Sequence, residues 1–369
     1  MDILITILCA VIVIGFLVFI HEGGHYLAAR AFGVRVTEFM LGLPGPNVGF
    51  KKNGTKFGVT AIPLGGYARV CGMEAGKMSP HLQPVLGALY RRGTANMEDI
   101  AYDCGITDDE AYAALEELVE WGSCTGPSKT DEYNTYRAPE IKPTRKQIRH
   151  ALAVGLPEPR SYASGEARPV EDEEALFKSE YRQQYRSLGF VKRSIILVAG
   201  VAMNLLFAIL AFVIIYSLVG VDLQTQAGDV VHYNATPWQS IQMGFAYIGM
   251  VFQMILNLFN PQTAVETVSN STSIVGIAVM SRSFFEQGFV DALFFMAAIS
   301  VSLGLMNLLP IPPLDGGKLV VEVFQKVTRR VVSSKVVGYI STAGMVLFLG
   351  FFIIMLNQDI QRLFTGYWS

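Results

Sequence analysis

Four stretches of the chain run apolar with no charged residue. Ile3–Ile20 is 18 residues long, and at about 1.5 Å per residue it nearly crosses a ~30 Å hydrocarbon core. Ser194–Val219, Ala292–Ile311 and Val336–Leu356 are comparable. Each predicts a transmembrane helix. A cleaved signal peptide is the other reading of the first run. It is disfavoured, because Asp2 rather than a basic segment precedes the run and no small-x-small site follows. A fifth uncharged run, Trp238–Phe259, carries Gln239, Ser240, Gln242, Gln253 and Asn257. It predicts an interfacial or partly embedded helix on the outer side. Between the first two runs, Phe50–Thr60 and Ala61–Val70 read as a β-hairpin, with its turn at Lys52-Asn53-Gly54-Thr55.

Charge orients these segments. Of 29 Lys and Arg, 22 lie between Arg30 and Arg193 and 5 between Lys318 and Lys335; only Arg282 and Arg362 lie elsewhere. Basic residues beside spans stay cytoplasmic. The N-terminus, Val221–Asp291 and the C-terminus are therefore expected outside, and Arg30–Arg193 and Lys318–Lys335 inside. If Trp238–Phe259 also crossed, the later segments would invert and put Lys318, Lys326, Arg329 and Arg330 outside. Composition agrees: charged residues are 16% of the chain and mean hydropathy is +0.37, where a soluble domain has about 25% charge. A net charge of −2 offers no basic surface for nucleic acid. Cys9, Cys71, Cys104 and Cys124 form no CxxC pair, which argues against a disulfide framework or a cysteine zinc finger.

The first run ends in His21-Glu22-Gly23-Gly24-His25, an HExxH pattern. On a helix, positions i and i+4 share a face, so both imidazoles can hold one Zn²⁺ with the glutamate beside its water. Two histidines and an acid at the end of an apolar helix are costly in lipid and point to function. A catalytic zinc site wants three protein ligands and an open position. The third run leads into Asn307-Leu308-Leu309-Pro310-Ile311-Pro312-Pro313-Leu314-Asp315-Gly316-Gly317, which brings Asp315 to the depth of the two histidines. Its prolines free backbone groups, tolerated at membrane depth only inside protein or beside a watery cavity.

These two motifs together resemble the site-2 protease family of intramembrane zinc metalloproteases, close to its bacterial regulator-of-sigma-E protease branch. Ile62-Pro63-Leu64-Gly65-Gly66-Tyr67, Ala199-Gly200-Val201-Ala202-Met203-Asn204 and Ser273-Ile274-Val275-Gly276-Ile277 extend the likeness over roughly residues 1–72 and 190–365. The resemblance implies that His21, His25 and Asp315 bind zinc and that Glu22 is the catalytic acid/base. Asn204 and Asn307 are candidates for stabilising the oxyanion or holding substrate backbone. It further implies a multi-pass protein of the bacterial inner membrane, with its active site near the cytoplasmic side. Substrates would be single-pass membrane proteins, such as anti-sigma factors or signal-peptide remnants. An exposed edge of the hairpin would take up unwound substrate by strand addition.

The chain also departs from that family. Relatives in this branch carry PDZ domains between the second and third spans, whereas here only Val221–Pro237 precedes the Trp238 helix, too short for a domain. Instead a large cytoplasmic insert, Lys77–Leu188, intervenes. Pro84 starts a short helix running to about Arg92; Met97–Asp103 is a second, ended by Gly105. Thr107 caps a third, Asp108–Trp121, and Gly122–Pro139 suits a hairpin. Three helices and a hairpin over 77–139 resemble a winged-helix domain. Its would-be recognition helix holds six acids and no base, and the insert has 14 basic and 19 acidic residues. DNA would be repelled, so a cytoplasmic protein partner is expected and no nucleic acid. Residues 140–188 read as a linker, Pro-, Ser- and charge-rich over Glu140–Glu174. His81, His150 and His232 have no partner at ligand spacing.

The expected fold is mainly α: four transmembrane helices over 1–72 and 190–369, a small membrane-associated β-element and the winged-helix-like insert. Function is expected to be zinc-dependent intramembrane proteolysis. A non-catalytic scaffold that recruits a partner through the insert, or a metal transporter with the same ligands, stays open. The complete HExxH and LDG motifs favour the enzyme, because a scaffold has no need of Glu22.

Overall fold

The computed structural model describes residues 2–365 apart from 63–64, 75, 129–130, 132, 144, 156, 225–228 and 270. The chain divides into two compact units. In chain order the elements are α1 (Asp2–Ala31), β1 (Val36–Leu41), β2 (Asn47–Lys52), β3 (Thr55–Thr60), β4 (Gly66–Val70), α2 (Leu82–Arg92), β5 (Thr94–Asn96), α3 (Met97–Cys104), α4 (Asp108–Glu120), β6 (Thr135–Arg137), α5 (Arg145–Ala153) and α6 (Glu173–Tyr181). There follow α7 (Phe190–Val213, continued by a π-helical turn to Val219), β7 (Val221–Gln224), β8 (Val230–Tyr233), α8 (Pro237–Asn257), α9 (Ala264–Ser269), α10 (Ile274–Gln287), α11 (Phe289–Asn307), α12 (Asp315–Thr328) and α13 (Ser334–Phe364).

The first unit comprises 1–28, 38–69 and 190–369. Among the described residues four helices are long and apolar enough to cross a membrane: Ile3–Ala31, Phe190–Val219, Phe289–Asn307 and Ser334–Phe364. They coincide with the four apolar runs. The bundle is welded by α7 and α11, whose small faces (Ala208, Ala211, Ala297) interdigitate with Phe212, Val301 and Leu305.

Helix α8 packs lengthwise in this bundle. Ser240 meets Ser217 beyond the end of α7 at 2.6 Å, while Val251 and Ile255 join the cluster of Ala208, Val301 and Leu305. It therefore runs antiparallel to α7, embedded among helices rather than apart from them, because Ser240, Gly244, Val251 and Ile255 form one buried stripe. Helix α10 runs back along α11, with Phe284 stacked on Phe295 at 4.7 Å between ring centroids. Its N-terminus is capped by the fully buried Asp359 of α13, which accepts from Ser273 N at 2.6 Å and Gly276 N at 3.1 Å.

The β-element is a four-stranded sheet of order β2-β3-β1-β4. β2 and β3 form the expected hairpin around Asn53-Gly54, both at positive φ, in antiparallel register from Asn47–Thr60 to Lys52–Thr55. The second half of the expected hairpin is different. β3 pairs on its other side with β1, in parallel. Phe57–Thr60 is thus interior, and the edges are β2 and β4. β3 ends at Thr60 and β4 begins at Gly66, so the stretch expected as one hairpin holds two strands that are not neighbours in the sheet.

The second unit comprises 29–37 and 70–189. Its helices α2, α3 and α4 fall where propensity and caps predict. Thr107 Oγ1 accepts from Glu110 N while Glu110 accepts from Thr107 N, a complete capping box. Leu82, Leu86, Leu89, Ile100, Leu115, Leu118, Trp121 and Tyr136 form a core that is almost wholly buried. β5 pairs antiparallel with β6, and Thr125 bridges Arg137. The expected division at 139/140 is not observed. Phe177 and Tyr181 of α6 pack on Trp121, Arg168 lies 4.5 Å over the Tyr90 ring, and Ile141 bridges Tyr162. Residues expected to be a linker supply aromatic groups that close this core, so much of 140–188 is an integral part of the unit. The four cysteines are free.

Candidate metal centre

His21 and His25 sit one turn apart on α1, their ring centroids 5.0 Å apart. Asp315 opens α12, directly after the proline-rich loop. His21 Nε2 lies 3.1 Å and His25 Nε2 3.0 Å from Asp315 Oδ2, and the two nitrogens are 3.3 Å from each other. The three side chains are only 7%, 12% and 11% exposed. Among the described residues they are the only such group of three or more potential ligands.

Glycines make this convergence possible. A Cβ on Gly24 of α1 would stand 2.4 Å from the Ala199 carbonyl, and one on Gly200 of α7 would stand 2.4 Å from His25 Nε2 itself. No L side chain fits at either position without displacing backbone or imidazole. Gly316 and Gly317 let the first turn of α12 lie under the Leu308–Pro312 loop, where a Cβ would come within 2.1 and 2.3 Å of backbone. Helix α12 is further held by Glu322, which pairs with Arg193 of α7 at 3.2 Å.

The donor set suits a tetrahedral divalent ion. Metal–ligand bonds of about 2.0–2.1 Å place tetrahedral donors roughly 3.3 Å apart, and the observed separations are 3.0, 3.1 and 3.3 Å. His25 Nδ1 lies 2.8 Å from the Ile196 carbonyl. A carbonyl only accepts, so Nδ1 carries a hydrogen, and Nε2 is the nitrogen left to meet an ion at the centre. Lys318 Nζ reaches Asp315 Oδ1 at 3.3 Å and leaves Oδ2 between the imidazoles.

Glu22, between the histidines, accepts from Ala68 N of edge strand β4 at 2.9 Å. Gly66 permits this approach, since a Cβ there would lie 2.6 Å from Val18 Cγ1. Asn204 is fully buried beside His21, with Nδ2 at 3.4 Å from Nδ1. Asn307 ends α11, half-buried, and its side chain makes no hydrogen bond among the described residues. Sequence reasoning missed the Ile196 carbonyl, Gly200, Lys318 and Ala68 N. Gly200 lay within a motif already singled out; the backbone groups carry no side-chain signal. His232 pairs with Asp222 at 2.7 Å, away from this group.

The model of peptidase family M50 matches residues 9–351, nearly the whole chain. The chain belongs to peptidase family M50. As a member it is a metalloendopeptidase of the membrane. Similar proteins include the zinc metalloprotease RasP of Shouchella clausii, 24% identical over 98% of this M50 peptidase and 100% of the relative. RasP of Geobacillus kaustophilus is 23% identical over 97% and 98%. The regulator of sigma-W protease RasP of Bacillus subtilis is 22% identical over 97% and 99%.

Proposed function

We propose that this M50 peptidase is a zinc-dependent intramembrane endopeptidase that cuts transmembrane segments of single-pass membrane proteins. Zinc is its cofactor, held by His21 Nε2, His25 Nε2 and Asp315 Oδ2. The observation that carries the reading is the triangle of 3.0–3.3 Å formed by these atoms. Zinc, when bound, supplies a Lewis acid that makes a water nucleophilic at neutral pH. Glu22 would accept a proton from the attacking water and pass it to the leaving amine. Asn307, with an unengaged amide, is the candidate to hold the oxyanion or the substrate backbone.

A helical substrate must unwind before its carbonyls are open to attack. β4 is an edge strand, and its Ala68 N–H already points at Glu22. A substrate strand added along β4 would lie beside the catalytic carboxylate. This edge of the sheet, rather than the β2–β3 hairpin, is the proposed docking strand. The basic residues flanking the spans support a site toward the cytoplasmic face, and a bacterial plasma membrane is the proposed location. Anti-sigma factors and signal-peptide remnants are the proposed substrates. A hairpin, β7–β8, occupies the connection between α7 and α8, so selection is proposed to run without a PDZ domain there. The acidic insert, winged-helix-like in its order of three helices and strands, is proposed to bind a cytoplasmic protein rather than DNA.

The test is cleavage of a model membrane substrate by purified protein in detergent, wild type against Glu22→Gln. The variant is expected to bind zinc and to lose cleavage by a factor of about 10³ or more. Equal cleavage by both, or none by either with zinc bound, would reject the reading.

A further inference from the structure

The two imidazoles are oriented differently. The outer nitrogen of His25 faces a carbonyl, which fixes its tautomer. The outer nitrogen of His21 faces the Asn204 amide, which donates at one end and accepts at the other. Asn204 is wholly buried, and its Oδ1 has no hydrogen-bond partner. Its backbone is pinned as well. Ser300 Oγ donates to the Asn204 carbonyl at 2.9 Å, and a Cβ on Gly304 would be 3.3 Å from Asn204 Cβ.

A half-turn exchanges the two ends of the amide, and the hydrogen-bond network decides which end faces the ring. His21 Nε2 faces Asp315 Oδ2 at 3.1 Å and His25 Nε2 at 3.3 Å, so ligation through Nε2 needs the ring hydrogen on Nδ1. Oδ1 turned to Nδ1–H accepts that hydrogen and gains the partner it otherwise lacks.

The geometry points to Asn204 as a positioning residue for the metal centre, whose amide oxygen accepts from His21 Nδ1–H and holds the Nε2 lone pair toward the ion. The inference rests on the zinc reading above. It removes Asn204 from the oxyanion candidates, since its amide is engaged with His21. It also gives a reason for a buried acceptor here. Aspartate likewise offers an acceptor to Nδ1–H, and leucine offers none.

The experiment measures zinc affinity of the full chain in detergent by competition with a fluorescent chelator. Wild type, Asn204→Leu, Asn204→Asp and His21→Ala are compared, with thermal melting as the check on folding. Loss of such an outer partner typically weakens metal binding about 10- to 100-fold, and that is expected for Asn204→Leu, with Asn204→Asp within about threefold of wild type. If Asn204→Leu does not fold, Asn204→Ala takes its place. Leucine or alanine variants that bind zinc as wild type does overturn the inference, and so does an aspartate variant as weak as they are. Wild-type affinity in His21→Ala would overturn the metal centre itself, a separate failure.

Discussion

Two buried polar clusters, one in each unit, show how differently charge can be used. In the second unit, the Arg35 guanidinium donates to Glu180 Oε2 at 2.8 Å, to Gln183 Oε1 at 3.0 Å and to the Gly122 carbonyl at 2.8 Å; Ser123 Oγ donates to Glu180 at 2.6 Å. Cation faces anion, and the donors around them find acceptors, so this cluster is complete without help. In the helical bundle, two imidazole nitrogens and a carboxylate oxygen crowd together, and Lys318 meets only the outer oxygen. Three Lewis bases aimed at one point are an arrangement that a cation completes. Satisfied polarity marks structure, and convergent basicity marks chemistry.

The sharpest way to break this comparison is to remove one member from each cluster. His25→Ala is expected to abolish zinc binding and reduce cleavage to background, measured by metal content and substrate assay, with little change in melting of the metal-free protein. Arg35→Ala should do the reverse. Leaving Glu180 buried and unpaired is expected to cost about 3–5 kcal/mol of stability in the second unit, read by denaturant unfolding, while zinc content stays stoichiometric. Zinc loss in Arg35→Ala would blur the distinction between the clusters.

Gly200→Val sharpens the bundle side. The added side chain occupies the space at His25 Nε2, so zinc affinity should fall by at least about tenfold, by analogy with loss of a supporting partner, and a chelator competition would show it. A smaller effect is expected from the sheet. Ala68→Pro removes the N–H facing Glu22 on the β4 edge and should slow cleavage several-fold without releasing zinc. Lys51→Pro on the opposite edge, β2, where the N–H faces away from β3, should leave the rate close to wild type. Equal rates in both variants would remove β4 from substrate docking.

The smallest effect concerns pH in the insert. Burial pushes the Glu120 carboxyl up to about 7, above its unfolded value near ~4.3. The folded unit thus favours the protonated acid. That stability is fully present below the unfolded pKa and is lost as pH rises through about 7. Glu120→Gln, which keeps an acceptor for Glu74 N, should raise the melting temperature at pH 8 and change it little at pH 5.

Much of this was legible in the chain itself. HExxH periodicity places His21 and His25 on one face, and the proline-rich break before Asp315 supplies the third donor. Helices α3 and α4 followed their caps. What escaped has a common physical cause: it depends on contacts between segments remote in sequence. The Gly24–Ala199 approach is an approach of two backbones, and the Ile196 carbonyl that sets the His25 tautomer has no side-chain identity. Polar composition over Glu140–Glu174 suggested a linker, yet Phe177, Tyr181 and Arg168 bind that region to the core around Trp121 and Tyr90. Alternation described β3 well but could not reveal that β1, rather than residues 61–65, lies beside it.

The opposed course of α8 and α10 settles a matter of parity. A descending helix followed by an ascending one brings the chain back to the level it left, so the stretch between α7 and α11 makes an even number of traverses however deep its bend lies. Arg193 and Glu322, meeting at 3.2 Å, sit at the same end of the bundle as that evenness demands. The polar residues of α8 can therefore enter among the spans while the lysines and arginines after Asp315 keep their side.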